Sequence, residues 1–336
     1  MTSPKWLGDK LFAGQATYCS IAARRTGRRA MARLFLLPDL LLPDHFTAHG
    51  ATPMLGKLTS FLRTRSRARK LEHYAIPDAL WTRTVATLPF VQRYGSEDLA
   101  ALRELATLFI AEKEYSTAHD LPLADDMVAS VAVQACVPIL KLGLPWYRGW
   151  HGIVLYPGEF IIRRTVQDEI GLVHGVVEEA SGEAWEHGPV ILSWPDVHTP
   201  GAGIDSGHEL PADTYNVVIH EFAHKLDMLD GEPDGVPPFS RVLHPDIDAE
   251  AWAETFLTEY DRFAEAWEAR DEADWEHPER LPPALRIIDP YGTEAPSEFF
   301  AVTSEAFFVE PTGLARHWPV VYQSLAAFYR QDPASM

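Results

Sequence analysis

The sequence predicts an α+β domain, and three observations predict it. Segments with apolar residues at helical spacing occupy the early and late parts of the chain; four short runs rich in Val, Ile and Leu lie between them; and helices and strands follow in blocks rather than alternating. With 336 residues, 46% of them hydrophobic, the chain can bury a sizeable core, which argues against disordered and fibrous classes.

The elements follow in order. Met54 to Leu71 reads as a basic helix carrying Lys57, Arg63, Arg65, Arg67, Arg69 and Lys70, a pattern that suits a solvated surface. Ser96 is the expected N-cap of the next helix, with Glu97 and Asp98 behind it and Leu99, Leu102, Leu105 and Phe109 at helical spacing. A further apolar helix is expected from about Ala124 to Lys141. Gly152 to Tyr156, Phe160 to Arg164, Gly171 to Val177 and Pro189 to Trp194 read as the strands of a small sheet, and Asp196 to Pro211 as a loop. Thr214 to Gly231 is a helix, capped by Asp213 or Thr214 and ended by Gly231. An acidic helix from about Asp248 to Ala273 sets Trp252, Phe256, Tyr260, Phe263 and Trp267 on one buried stripe, and a last functional helix begins near Pro296.

Charge narrows the function classes. The formal net charge is -19 and the pI about 5.1, so a role in coating nucleic acid is disfavoured. The distribution is uneven: residues 1–70 hold 13 bases and three acids, which leaves 16 bases against 45 acids for the rest. We read 1–53 as an N-terminal extension, with Met31 or Met54 as alternative starts, and 54–333 as the main domain. Two cysteines, Cys19 and Cys136, are too few and too distant for a disulfide framework, and they fit a reducing, cytoplasmic setting. The apolar run Leu34 to Phe46 is broken by Pro38, Asp39, Pro43 and Asp44, so no membrane span or secretory signal is expected there.

The chemistry concentrates in TYNVVIHEFAHKLDMLDG at Thr214 to Gly231. His220 and His224, four residues apart on a helix, project from one face at a spacing that can hold one zinc ion. Glu221 follows the first His, where its carboxylate can take a proton from an attacking water without ligating the metal. Val218, Phe222, Leu226 and Leu229 form a separate apolar stripe, and Asp227 is a candidate acceptor for an imidazole N–H. A catalytic zinc needs a third protein ligand. Asp230 occupies the position where an extended motif has its third His, but Asp227 stands where that motif has its turn-forming Gly. A second helix, PSEFFAVTSEAFF, offers Glu298 and Glu305 on one face, and spacing leaves the choice between them open.

NVVIHEFAHKLDMLDG at Asn216 to Gly231, with DPYGTEAPSEFFAVTSEAFF at Asp289 to Phe308, resembles the Mlc titration factor A family of bacterial zinc peptidases. YPGEF at Tyr156 to Phe160, GEAWEHGPVILSW at Gly182 to Trp194 and Leu88 to Phe90 extend the resemblance over about Met54 to Pro333. It implies a zincin-like fold, one zinc ion on His220, His224 and Glu298, Glu221 as general base, and Tyr291 facing the reacting carbonyl. It further implies aminopeptidase-type action on short peptides, although no Gly-x-Met-Glu-Asn element of the kind that anchors a free amino terminus is present. Pro189 to Trp194 is expected to be an edge strand that holds extended substrate. The competing function is a binding protein: the family is named for sequestering a transcriptional repressor, and the zinc site would then be mainly structural.

Overall fold

Ten consecutive buried residues, Met127 to Cys136, make up most of one helix, and helices from before and after it in the chain pack against it. A helix apolar on all sides must lie inside rather than on a surface. A computed structural model describes residues 64–167, 173–198, 214–270 and 280–336. Residues 1–63, with the first part of the expected 54–71 helix, and residues 199–211 of the expected loop lie outside them; the start of that loop, Asp196 to His198, instead ends a short helix, Trp194–His198. Residues 64–73 are helical, and the helices that follow are α1 (Asp78–Ala86) and α2 (Ser96–Glu112). The central helix is α3 (Asp125–Cys136). After the strands come α4 (Val217–Asp227), α5 (Ala249–Glu268), α6 (Pro296–Val309), α7 (Pro311–His317) and α8 (Pro319–Tyr329).

The sheet has four strands in the order β1 (Glu114–Thr117), β2 (Gly152–Tyr156), β6 (Val190–Ser193), β5 (Gly182–Ala184). β1, β2 and β6 run parallel, and β5 is antiparallel to β6. β3 (Phe160–Gln167) and β4 (Val173–Ala180) form a separate antiparallel ribbon. The mixed architecture is the expected α+β one, with differences in detail. β1 and β5 are additional to the four predicted strands, because three or four residues carry too little pattern to show a period of two. Gly95, not Ser96, is the N-cap of α2, and Ser96 is its first helical residue. The apolar helix expected to Lys141 stops at Cys136, since Pro138 has no N–H to continue the ladder; tighter turns follow, in which Val137, Ile139 and Leu142 stay buried.

The predicted stripe of α5 is buried at Trp252, Phe256, Phe263 and Trp267, with Tyr260 half-buried. Its Asp248 cap accepts from the N–H groups of Glu250 and Ala251. Phe222 of α4, Phe256 and Phe263 of α5, and Phe299, Phe300 and Phe307 of α6 are all fully buried in one core. That core fixes how α4 and α6 face each other. Among the described residues no helix is long and apolar enough to cross a membrane.

Candidate metal centre

Helix α4 begins at Asn216, whose Oδ1 accepts the Ile219 N–H at 2.9 Å while its amide donates to Gln134 of α3 at 2.8 Å. Asn216, rather than Asp213 or Thr214, is therefore the cap, and it ties the helix start to the buried centre. From this fixed start Val218, Phe222 and Leu226 fall fully inside the core, and His220 and His224 emerge one turn apart on another face.

The two histidines converge with a carboxylate from α6. Nε2 of His220 and Nε2 of His224 are 3.2 Å apart, and Glu298 Oε2 lies 3.2 Å from each. Among the described residues these three side chains form the group able to hold a metal ion. Glu298 reaches the triangle from the first turn of α6, where Pro296 supplies a first-turn residue that needs no N–H partner.

Glu305, two turns along the same face, meets the other side of the His220 ring. Its Oε1 is 2.8 Å from Nδ1, and its second oxygen accepts the backbone N–H of Asn216. With Nε2 turned to a cation, Nδ1 carries the ring proton and donates it to Glu305. Burial opposes an imidazolium at both rings, yet Glu298 and Glu305 outweigh it at His220, as Glu298 does at His224, and both pKa values rise. Burial likewise opposes the Glu298 carboxylate, but the two histidines hold its pKa below the usual range. Such mutual stabilisation of charge is what a cation among the donors would exploit.

Glu221 is 4% exposed and stays outside the triangle. Burial pushes its carboxyl up to about 7, against the pull of His220 and His224. Its Oε2 has no hydrogen-bond partner among the described residues. The carboxylate lies against the start of β5: a Cβ at Gly182 would stand 2.3 Å from Glu221 Oε1. Only a glycine lets the strand and this side chain approach so closely. Tyr291 sits in the single turn Pro290–Thr293, held by Asp289, whose Oδ1 accepts the Tyr291 N–H at 2.8 Å. Its ring is half exposed and centred 6.1 Å from that of His220.

Two expectations change, those for Asp227 and for the edge strand, while Asp230 stays away from the metal as the missing glycine turn implied. Asp227 accepts from Gly235 N–H at 2.9 Å and bonds to neither imidazole; its carboxylate faces the 231–235 turn, and Glu305 takes the role expected of it. Asp230 falls in a short turn after α4 and does not join the triangle. The strand at Pro189 to Trp194 is not an edge, since β6 is paired on both sides; β5 is the edge beside α4. Sequence reading passed over Gly182 and Lys225. Gly182 opens a strand too short to be read, and Lys225 looks like an ordinary partner for Glu221 at i,i+4.

Residues 62–330 match the family described as glucose-regulated metallo-peptidase M90. The chain belongs to that family. Its M90 region is similar to proteins called Mlc titration factor A. The one from Salmonella arizonae is 35% identical over 257 residues, 76% of this chain and 92% of that protein. The one from Klebsiella pneumoniae subsp. pneumoniae is 34% identical over 254 residues, 75% and 86% of the two chains. The M90 membership makes this a metallopeptidase-type protein, and the His220, His224 and Glu298 triangle is where the metal of such a protein fits.

Proposed function

We propose that this M90 protein is a zinc peptidase of zincin-like fold, holding one ion through His220, His224 and Glu298 and using Glu221 as general base. The observation that carries the reading is the donor triangle. Ligands about 2.0–2.1 Å from a tetrahedral zinc stand about 3.3 Å apart, and the three edges here are 3.2 Å. A set of two nitrogens and one carboxylate oxygen, three protein donors in all, is that of a catalytic site rather than a closed four-ligand structural one. Bound zinc supplies Lewis acidity, which acidifies water and polarises a peptide carbonyl.

The side chains then have distinct tasks. Glu221, buried and with one oxygen unpartnered, accepts a proton from the attacking water and hands it to the leaving amine. Burial disfavours its charged form, which suits it to take up that proton and release it again in the second half of the transfer. Tyr291, half exposed and near His220, donates a hydrogen bond from its phenol to the oxyanion that develops on the carbonyl. The β5 edge, starting at Gly182 beside Glu221, pairs with an extended peptide. Three residues of edge suit short substrates, in keeping with an aminopeptidase in a reducing cytoplasm.

A second reading is favoured by the relatives' shared name, Mlc titration factor A, which points to binding of a repressor protein. One variant separates the two. Glu221→Gln keeps the ligands, so it should retain one zinc and any repressor binding while peptide hydrolysis falls by more than about a hundred-fold. Hydrolysis of a peptide library undiminished in Glu221→Gln would overturn the proposed base. Repressor binding measured beside it, with wild type inactive on every peptide, would favour the binding function.

A further inference from the structure

Lys225 directly follows His224 on α4, and it is 2% exposed. At i,i+4 from Glu221 it has the spacing of a helical ion pair, yet no ion pair joins the two. Its ammonium instead leaves the helix for the β5–β6 turn. Nζ donates to the carbonyl of Trp185 and, at 3.0 Å, to that of Gly188, and it stands 4.8 Å from the centre of the Trp150 ring.

Burying an ammonium without a direct ion pair is costly, and two carbonyls with an aromatic face offset that cost only in part. A hydrophobic residue would pack here at less expense. What the lysine adds is a link between two elements that the site needs in register. The turn is itself tight: Gly188 N–H bonds to Trp185 O at 3.1 Å, and Trp185 N–H to Pro189 O at 3.2 Å. A Cβ at Gly188 would stand 2.8 Å from Trp185 Cβ. The turn carries β5 back along β6, and the far end of β5 is Gly182, against Glu221. The hairpin therefore touches α4 at both ends, at Glu221 through a missing side chain and at Lys225 through a charged one.

We infer that Lys225 is a positioning residue: it clamps the β5–β6 turn to the catalytic helix, setting the height of the substrate-pairing edge above Glu221. The inference rests on the peptidase reading and deepens it, since it assigns substrate binding to the edge and its alignment to Lys225. Three consequences can be measured in Lys225→Met and Lys225→Arg of the full chain. Lys225→Met should keep one zinc per chain, and its amides at 182–192 should exchange with deuterium about ten-fold faster, the scale of one lost charged hydrogen bond, while α4 amides keep their protection. KM for short peptides should rise by about the same factor with kcat changed far less. Lys225→Arg, which keeps charge and donors, should recover most of the protection and the KM.

Unchanged exchange at 182–192 would overturn the clamp, and so would loss of zinc or of α4 protection, because either would make Lys225 a general support of the helix. A fall in kcat at constant KM would overturn the assignment to substrate alignment. If Lys225→Met does not fold, Lys225→Gln, which reaches at most one carbonyl, is read against the same outcomes. Wild type that cleaves no peptide would sink the peptidase reading, and the exchange comparison would still decide whether the clamp exists.

Discussion

At the level of single residues, the support of the two histidines is unequal. His220 has Glu298 at one ring nitrogen and Glu305 at the other, whereas Nδ1 of His224 is buried with no partner among the described residues. Glu305 thus decides the tautomer and orientation of one ligand, and through Asn216 it also holds the first turn of the helix on which both ligands stand. Glu305→Gln keeps the shape but loses the anionic acceptor. Metal affinity should fall by about 10- to 100-fold, as expected when the carboxylate behind a ligating His is removed. Competition with a coloured chelator measures this without any substrate, and an unchanged affinity would deny Glu305 that role. Spacing showed that Glu298 and Glu305 share a face but left open which one ligates. The distinction depends on the offset between α4 and α6, which pack directly on each other and are far apart in the chain.

At the level of elements, the site depends on how the end of α4 meets the start of α6. Gly235 makes that junction: its N–H donates to Asp227, three residues after His224, and its φ of +82° brings the backbone against Pro296. A Cβ there would lie 2.4 Å from the Pro296 carbonyl oxygen, two residues before Glu298. Gly235→Ala must therefore push the first turn of α6 away and adopt a backbone angle unfavourable to alanine. We expect a loss of about 1–3 kcal/mol in chemical denaturation, together with weaker metal binding. Loss of stability with metal affinity intact would mean that the junction supports the fold but not the triangle. Long elements with strong periods, such as α5 and its aromatic stripe, were legible in the sequence, and so was the His-Glu-x-x-His helix. β1 and β5 were not, because their residues take their state from neighbours distant in the chain: β5 from β6 and α4, β1 from β2.

For the whole molecule, the question is how far the metal holds the fold together. The buried core holds α4 through Phe222, packed on Phe109, Tyr147 and Trp150, and holds α5 to α6 through Phe256, Phe299 and Phe300, and none of this packing passes through the triangle. The acids of α5 at Glu250, Glu254, Asp261, Glu265 and Glu268 are exposed, so much of the negative charge lies outside that core. The protein without metal should accordingly stay folded but be less stable, unlike a small zinc module that unfolds on chelation. Free zinc at about a thousand times its dissociation constant adds ~4 kcal/mol by mass action. In a domain of this size each kcal/mol moves Tm by about 2 °C, so chelation should lower Tm by roughly 8 °C. The far-ultraviolet circular dichroism spectrum at 25 °C should remain that of the native protein, and added zinc should restore Tm. Collapse of the spectrum on chelation would show that the triangle holds α4 to α6 more strongly than their packing does, whereas an unchanged Tm would mean that the three donors bind no ion tightly.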